Sequence, residues 1–185
     1  MEKTLLIIPL SYGYIHSRDA LPVVEERTLE SAARHYLEYS SRERRIVMSY
    51  TVGCPKEMPK KIGYLLRLGV QREHILISSI PLKNVITEGE AIRDVVIVAK
   101  LTAGIIILIA QEDCVTRAQY IFSKLFPEAV ILVEKIVGGF ERDIPYRFMR
   151  NQFIHKILNL VCYWGIRILG LERMKKYGHP EHKNK

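Results

Sequence analysis

Five short apolar runs, rich in β-branched residues and regularly spaced, constrain this chain more than any other feature. They are Thr4–Leu10, Arg45–Tyr50, His74–Ser79, Gly104–Ala110 and Ala129–Glu134. None alternates apolar with polar residues, so a strand made from any of them is covered on both faces, as in a parallel sheet. The intervening segments suit helices. Residues 22–41 start at Pro22 and carry an apolar stripe of Leu29, Ala33, Tyr36 and Leu37. Residues 57–69 end at Gly69, a natural C-cap. Residues 88–101 follow Thr87, read as an N-cap with Glu90 as its capping-box partner. Residues 113–125 begin near Glu112 or Asp113 and precede Pro127. Strands alternating with helices mean βαβ units. The expectation is a doubly wound α/β domain over residues 1–140, with a five-stranded parallel sheet in the order 3-2-1-4-5.

After Gly138-Gly139 the character changes. Asp143 and Pro145 make a helix start, and Gly178 before Pro180 a stop. An uninterrupted helix between them would run about 50 Å, longer than a domain of this size. The expectation is therefore that Gly165 or Gly170 breaks it, or that it projects from the domain. Residues 141–185 form the C-terminal extension, and the charge is concentrated there. The 185-residue chain carries a formal net charge of +8, but residues 1–140 hold 18 Lys+Arg against 16 Asp+Glu, whereas residues 141–185 hold 10 against 4. A near-neutral body with a basic end argues for a local contact rather than a nucleic-acid-binding domain. Cys54, Cys114 and Cys162 contain no CxxC pair, and no stretch reads as a signal peptide or a membrane span. A reduced, cytoplasmic protein is expected.

In an open parallel sheet, ligands bind beyond the carboxyl ends of the strands, where the strand order reverses. Here that point falls between the first and fourth strands. The first delivers Ser11, Tyr12, Gly13 and Tyr14; the fourth delivers Gln111, Glu112, Asp113 and Cys114. The second adds Ser49, Tyr50 and Thr51 before Gly53, and the third adds Lys83, Asn84 and Thr87. GxGxxG, GxxxxGK[ST], GxSxG and HExxH are all absent, so no dinucleotide site, P-loop, nucleophile elbow or zincin helix is supported. His179 and His182 are spaced by three in the tail and read as solvent-exposed. Arg117, one turn into the fourth helix, reads either as a ligand for an anion at that helix's N-terminus or as a salt-bridge partner of Glu112 or Asp113. Arg27 has the same two readings, with Glu25, Glu26 or Glu30 as its partner. Glu57 suits the dipole at the start of the second helix. Cys114 reads as a small buried thiol, because its acidic neighbours oppose a lowered pKa.

These elements, in this order, resemble the YdcF-like family (domain of unknown function 218), which includes the SanA- and ElyC-type envelope proteins. The resemblance spans about residues 4–135. It is carried by IIPLSYGYI after the first strand, by Arg27 in EERTLESAARHYLEY, and by Ser49-Tyr50 ending the second strand. Glu57 before Gly69-Val70, the segment KNVITEGEA and the segment IAQEDCVTRAQ complete it. Tyr50 stands where the family has glycine, Ala110-Gln111 where it has Thr-Ser, and Cys114 where it has histidine. The resemblance implies a Rossmann-like fold and a pocket for a nucleotide-like or other anionic small molecule. It carries over Arg27, Glu57, Thr87, Glu90 and Arg117, and it supplies no settled reaction. With the strand-end residues, the expected ligand-binding set is Ser11, Gly13, Arg27, Ser49, Glu57, Thr87, Glu90, Gln111 and Arg117. No catalytic residue, cofactor or metal ligand is assigned.

Residues 153–171 are the second functional feature. Phe153, Ile157, Leu160, Val161, Trp164, Ile168 and Leu171 form one broad helical stripe. Ile154, Leu158, Cys162, Ile166 and Leu169 cover much of the remainder. Lys156 and Arg167 lie too close together to flank a bilayer core of about 30 Å. The expectations are packing on the sheet, pairing with a second copy, or contact with a membrane surface. Two functions therefore stand side by side: a pocket for a small anionic ligand, and a non-enzymatic interaction protein acting through this helix.

Overall fold

The computed structural model describes residues 3–11, 21–51, 57–82, 84–138 and 152–175. Five strands alternate with helices: β1 (Thr4–Pro9), α1 (Val23–Glu38), β2 (Arg44–Thr51), α2 (Glu57–Arg67), β3 (Ile75–Leu82), α3 (Val85–Val98), β4 (Ala103–Gln111), α4 (Val115–Leu125) and β5 (Val130–Ile136). Two helices follow, α5 (Gln152–Leu169) and α6 (Leu171–Met174). The sheet is parallel throughout and its order is β3-β2-β1-β4-β5, a Rossmann-like arrangement.

The non-alternating runs have the meaning expected of them, because successive strand residues feed two separate cores. Leu5, Ile7, Ile46, Met48, Ile107 and Ile109 pack with Leu29, Ala33 and Tyr36 of α1 and Leu65 of α2. Their neighbours Leu6, Ile8, Val47, Ile106 and Leu108 pack on the other face with Ile92 and Val96 of α3 and Ala118 and Phe122 of α4. The chain changes face at α3, so β1 and β4 are neighbours between which the strand order reverses.

Two local expectations need correction. The third helix starts at Val85 rather than residue 88, and its N-cap is Asn84, not Thr87. Asn84 Oδ1 accepts from the Ile86 and Thr87 N–H groups at 2.9 and 3.0 Å, and Thr87 Oγ1 accepts from the Asn84 N–H at 3.0 Å. Asn competes well for this position, and Thr87 serves as its reciprocal partner instead. The earlier start brings Glu88 into the first turn. Asn84→Ala should cost about 1 kcal/mol, read as a lower urea midpoint at unchanged m. An unchanged midpoint would remove Asn84 from this role. At the C-terminal end the break falls at Gly170, which adopts φ +82°, whereas Gly165 lies inside α5. The expected helix start at Asp143 and Pro145, the boundary at residue 140, and the tail histidines lie outside the described residues.

Helix α5 rests on α4. Ile166 packs with Ile121 of α4 and Ile86 of α3, and Met174 of α6 joins them.

Candidate functional site

Of the helices that begin at the carboxyl edge of the sheet, three carry a carboxylate in the first turn: Glu25 in α1, Glu57 in α2 and Glu88 in α3. The free N–H groups of each first turn favour that charge locally. Lys61, one turn after Glu57, gathers them. Its Nζ lies 2.6 Å from Glu25 and 2.5 Å from Glu57, with all three side chains at least nine-tenths buried. Lys61 also donates to Ser11 Oγ at 3.0 Å. Ser11 leaves the end of β1, and its N–H donates to Glu88 Oε1 at 3.1 Å; the Ser49 hydroxyl donates to the same oxygen at 2.7 Å. The result is a continuous buried polar chain from Glu25 and Glu57 through Lys61 and Ser11 to Glu88.

Its electrostatics separate the roles of its members. Burial pushes the Glu88 carboxyl up to about 7, against the opposing pull of Ser49, Ser11 and Lys61. Burial disfavours the Lys61 ammonium, but Glu25 and Glu57 outweigh it and hold its pKa above the ordinary lysine value. Lys61 is thus a fixed cation, unsuited to nucleophilic or base chemistry near neutral pH. Glu88 can exchange a proton there.

The other side of the crevice is built by β4 and α4. Gln111 ends β4, is more than nine-tenths buried, and its Nε2 has no hydrogen-bond partner among the described residues. Arg117 stands one turn into α4 beside the Cys114 thiol, and its buried Nε has no hydrogen-bond partner among the described residues. Of the carboxylates nearby, Asp113 is engaged elsewhere: its fully buried side chain lies 3.2 Å from His155 Nδ1 and 3.8 Å from Lys156 Nζ of α5. The salt-bridge reading of Arg117 with Glu112 or Asp113 has no counterpart among the described residues. Cys114 joins the two halves. Burial pushes its thiol up, Arg117 opposes this, and Asp113 and Glu88 reinforce it. A thiol so held is a poor nucleophile despite the neighbouring His155 and Asn159. The Cys114 thiol donates to Asn159 Oδ1 at 3.6 Å, and Asn159 Nδ2 donates to the His155 carbonyl at 2.9 Å. These contacts lock α5 over the start of α4.

The expected ligand-binding residues fall into groups. Ser11 and Ser49 meet at Glu88, and Glu57 joins them through Lys61. Gln111 and Arg117 lie across the β1–β4 boundary. Thr87 completes the α3 cap. Glu90 pairs with Lys175 at 2.7 Å, on the side of α3 reached by the chain's last helix. Arg27 donates to the Val137 carbonyl at 3.3 Å, just past β5. Gly13, Tyr12, Tyr14, Gly53 and Lys83 lie outside the described residues.

Glu25, Lys61, Glu88, His155 and Asn159 are absent from the expected set. The Glu57–Lys61 spacing of four was a visible signal for Lys61, and Asn84-x-x-Thr87 was one for the phase of α3 and hence for Glu88. His155 and Asn159 are four apart in a segment whose apolar residues dominate, so only docking reveals them. No group of His, Cys, Asp or Glu among the described residues is arranged to hold a metal ion.

No protein-family model and no curated protein matches this chain.

Proposed function

We propose that this chain binds a small anionic ligand, phosphorylated or nucleotide-like, at the carboxyl edge of the sheet between β1 and β4. The observation that carries the reading is Arg117: a cation beside the first turn of α4, with a buried Nε that has no hydrogen-bond partner among the described residues and with Asp113 drawn off to α5. A guanidinium in that position neutralises an anion and donates to it from a fixed plane, and the first-turn N–H groups of α4 add donors. Gln111 Nε2 is a further buried donor awaiting an acceptor. Glu88, raised to about 7 by burial, adds little repulsion below that pH and provides a group able to give or take a proton. The resemblance to the YdcF-like family supports the same class of ligand.

The test is titration calorimetry with inorganic phosphate and with a nucleoside monophosphate, on the full chain and on Arg117→Ala. Loss of a charge-assisted contact of about 2 kcal/mol should weaken binding about thirtyfold. The melting temperature should stay within a degree or two, since the guanidinium makes no ion pair among the described residues. Equal affinity of the two proteins would remove Arg117 from the site. Native mass spectrometry of freshly purified protein would then identify any ligand retained by other groups.

A further inference from the structure

Helix α5 has two faces with different fates. His155, Asn159 and Ile166 form its docked stripe and are buried. On the opposite side Phe153, Leu160, Val161, Trp164 and Ile168 stand in solvent, with Phe153 70% and Ile168 76% exposed. Between the two faces run Lys156 and Arg167, eleven residues apart and therefore nearly in line along the helix. Arg167 is set among rings, 5.8 Å from the centroids of Tyr120 and Tyr163 and 5.6 Å from that of Trp164.

The charge around this face indicates its occupant. The helix from Gln152 to Leu169 carries Lys156 and Arg167 and no carboxylate. A second copy would bring the same positive rim to the contact. An anionic lipid surface would bring the opposite charge, together with an apolar layer to receive the exposed side chains. Tyr163 and Trp164, with apolar bodies and polar tips, match the headgroup level of such a surface. No helix among the described residues is long and apolar enough to cross a membrane, so a helix lying in the plane is the fitting geometry.

We propose that the outward face of α5 docks on an anionic lipid bilayer, with its apolar side chains in the interface and Lys156 and Arg167 at the headgroups. This contact uses residues distinct from those of the pocket, so each stands or falls without the other.

Trp164 is the chain's only tryptophan, and it reports directly on this face. The full-length protein is titrated with phosphatidylcholine vesicles containing phosphatidylglycerol and, separately, with pure phosphatidylcholine vesicles, following tryptophan emission and co-sedimentation. The expected result is a blue shift and binding at least about tenfold tighter on the anionic vesicles, weakened by added salt. The double variant Leu160→Gln/Ile168→Gln, altered only at exposed positions, should melt like the parent yet bind those vesicles at least about tenfold more weakly. Protein left in the supernatant with unshifted emission would overturn the proposal. So would equal binding to both vesicle types. A blue-shifted emission without lipid, accompanied by a doubled mass in light scattering, would assign the face to a second copy instead.

Discussion

Replacing Lys61 with methionine is expected to lower stability by about 3–5 kcal/mol, because it removes the buried cation that Glu25 and Glu57 share. Methionine keeps most of the volume, so packing loss is a small part of the effect. Lys61 holds Glu25 and Glu57 at 2.6 and 2.5 Å and is 2% exposed, which leaves water no route to replace it. The measurement is urea unfolding, read as a fall in midpoint. Adding Glu25→Gln and Glu57→Gln to Lys61→Met should recover much of the loss, since the penalty arises from unpaired charge and not from a missing bond. A loss below about 1 kcal/mol in the single variant would mean that the network relaxes and that Lys61 does not organise this edge.

The second large effect is pH-dependent and belongs to Glu88. Its carboxyl is raised from the ordinary value of 4.5 to about 7 by burial. Between those values the folded chain binds more protons than the unfolded one, so stability falls as pH rises. The contribution is fully present below pH 4.5, is lost through pH 7, and is constant above. Glu88→Gln keeps an acceptor oxygen for Ser11 and Ser49 but cannot ionise. The variant should match the parent near pH 4.5 and exceed it by about 2–3 kcal/mol at pH 8. Other carboxylates titrate in both proteins and cancel in the difference; Glu134, whose pKa is lowered by Ser31, His35 and Arg34 against its own burial, is one. A difference that does not vary with pH would show that Glu88 is ionised throughout. Above pH 7 an ionised Glu88 would also repel an anion at the proposed site. Affinity for sulfate, whose charge is constant in this range, should therefore fall there in the parent and not in the variant.

The two outcomes bear on different parts of one edge. Lys61 sets a permanent charge that fixes the positions of α1, α2 and the end of β1. Glu88 carries a proton that can leave.

The fold was legible because its signals are local and repeated. GIIILIA and TLLIIPL cannot alternate, so they demand cover on both faces, and the intervening segments are long enough for helical crossovers. The strand order was the expected one for such a sheet, and the structure shows it. Positions at strand ends, such as Ser11, Ser49 and Gln111, were legible for the same reason, since a strand's last residues must reach the carboxyl edge. The carboxylates on helices were harder to read. Moving the start of α3 by three residues exchanges Glu90 for Glu88 at that edge, and the choice depended on which of Asn84 and Thr87 capped the helix. His155 and Asn159 were hidden more deeply, because they approach Cys114 and Asp113 from more than forty residues away.

By itself, the sequence determined the parallel sheet, the two-sided core and the basic bias of the last segment. Each of these depends on side-chain type and spacing along the chain. Only the tertiary structure decided which charges meet. It placed Lys61 between Glu25 and Glu57, drew Asp113 to α5 and left Arg117 without a carboxylate among the described residues, and it determined which side of α5 stays uncovered. Such pairings depend on distances of a few ångströms between residues remote in sequence. A half-turn in a helix start or the docking of one helix changes them without altering any local pattern.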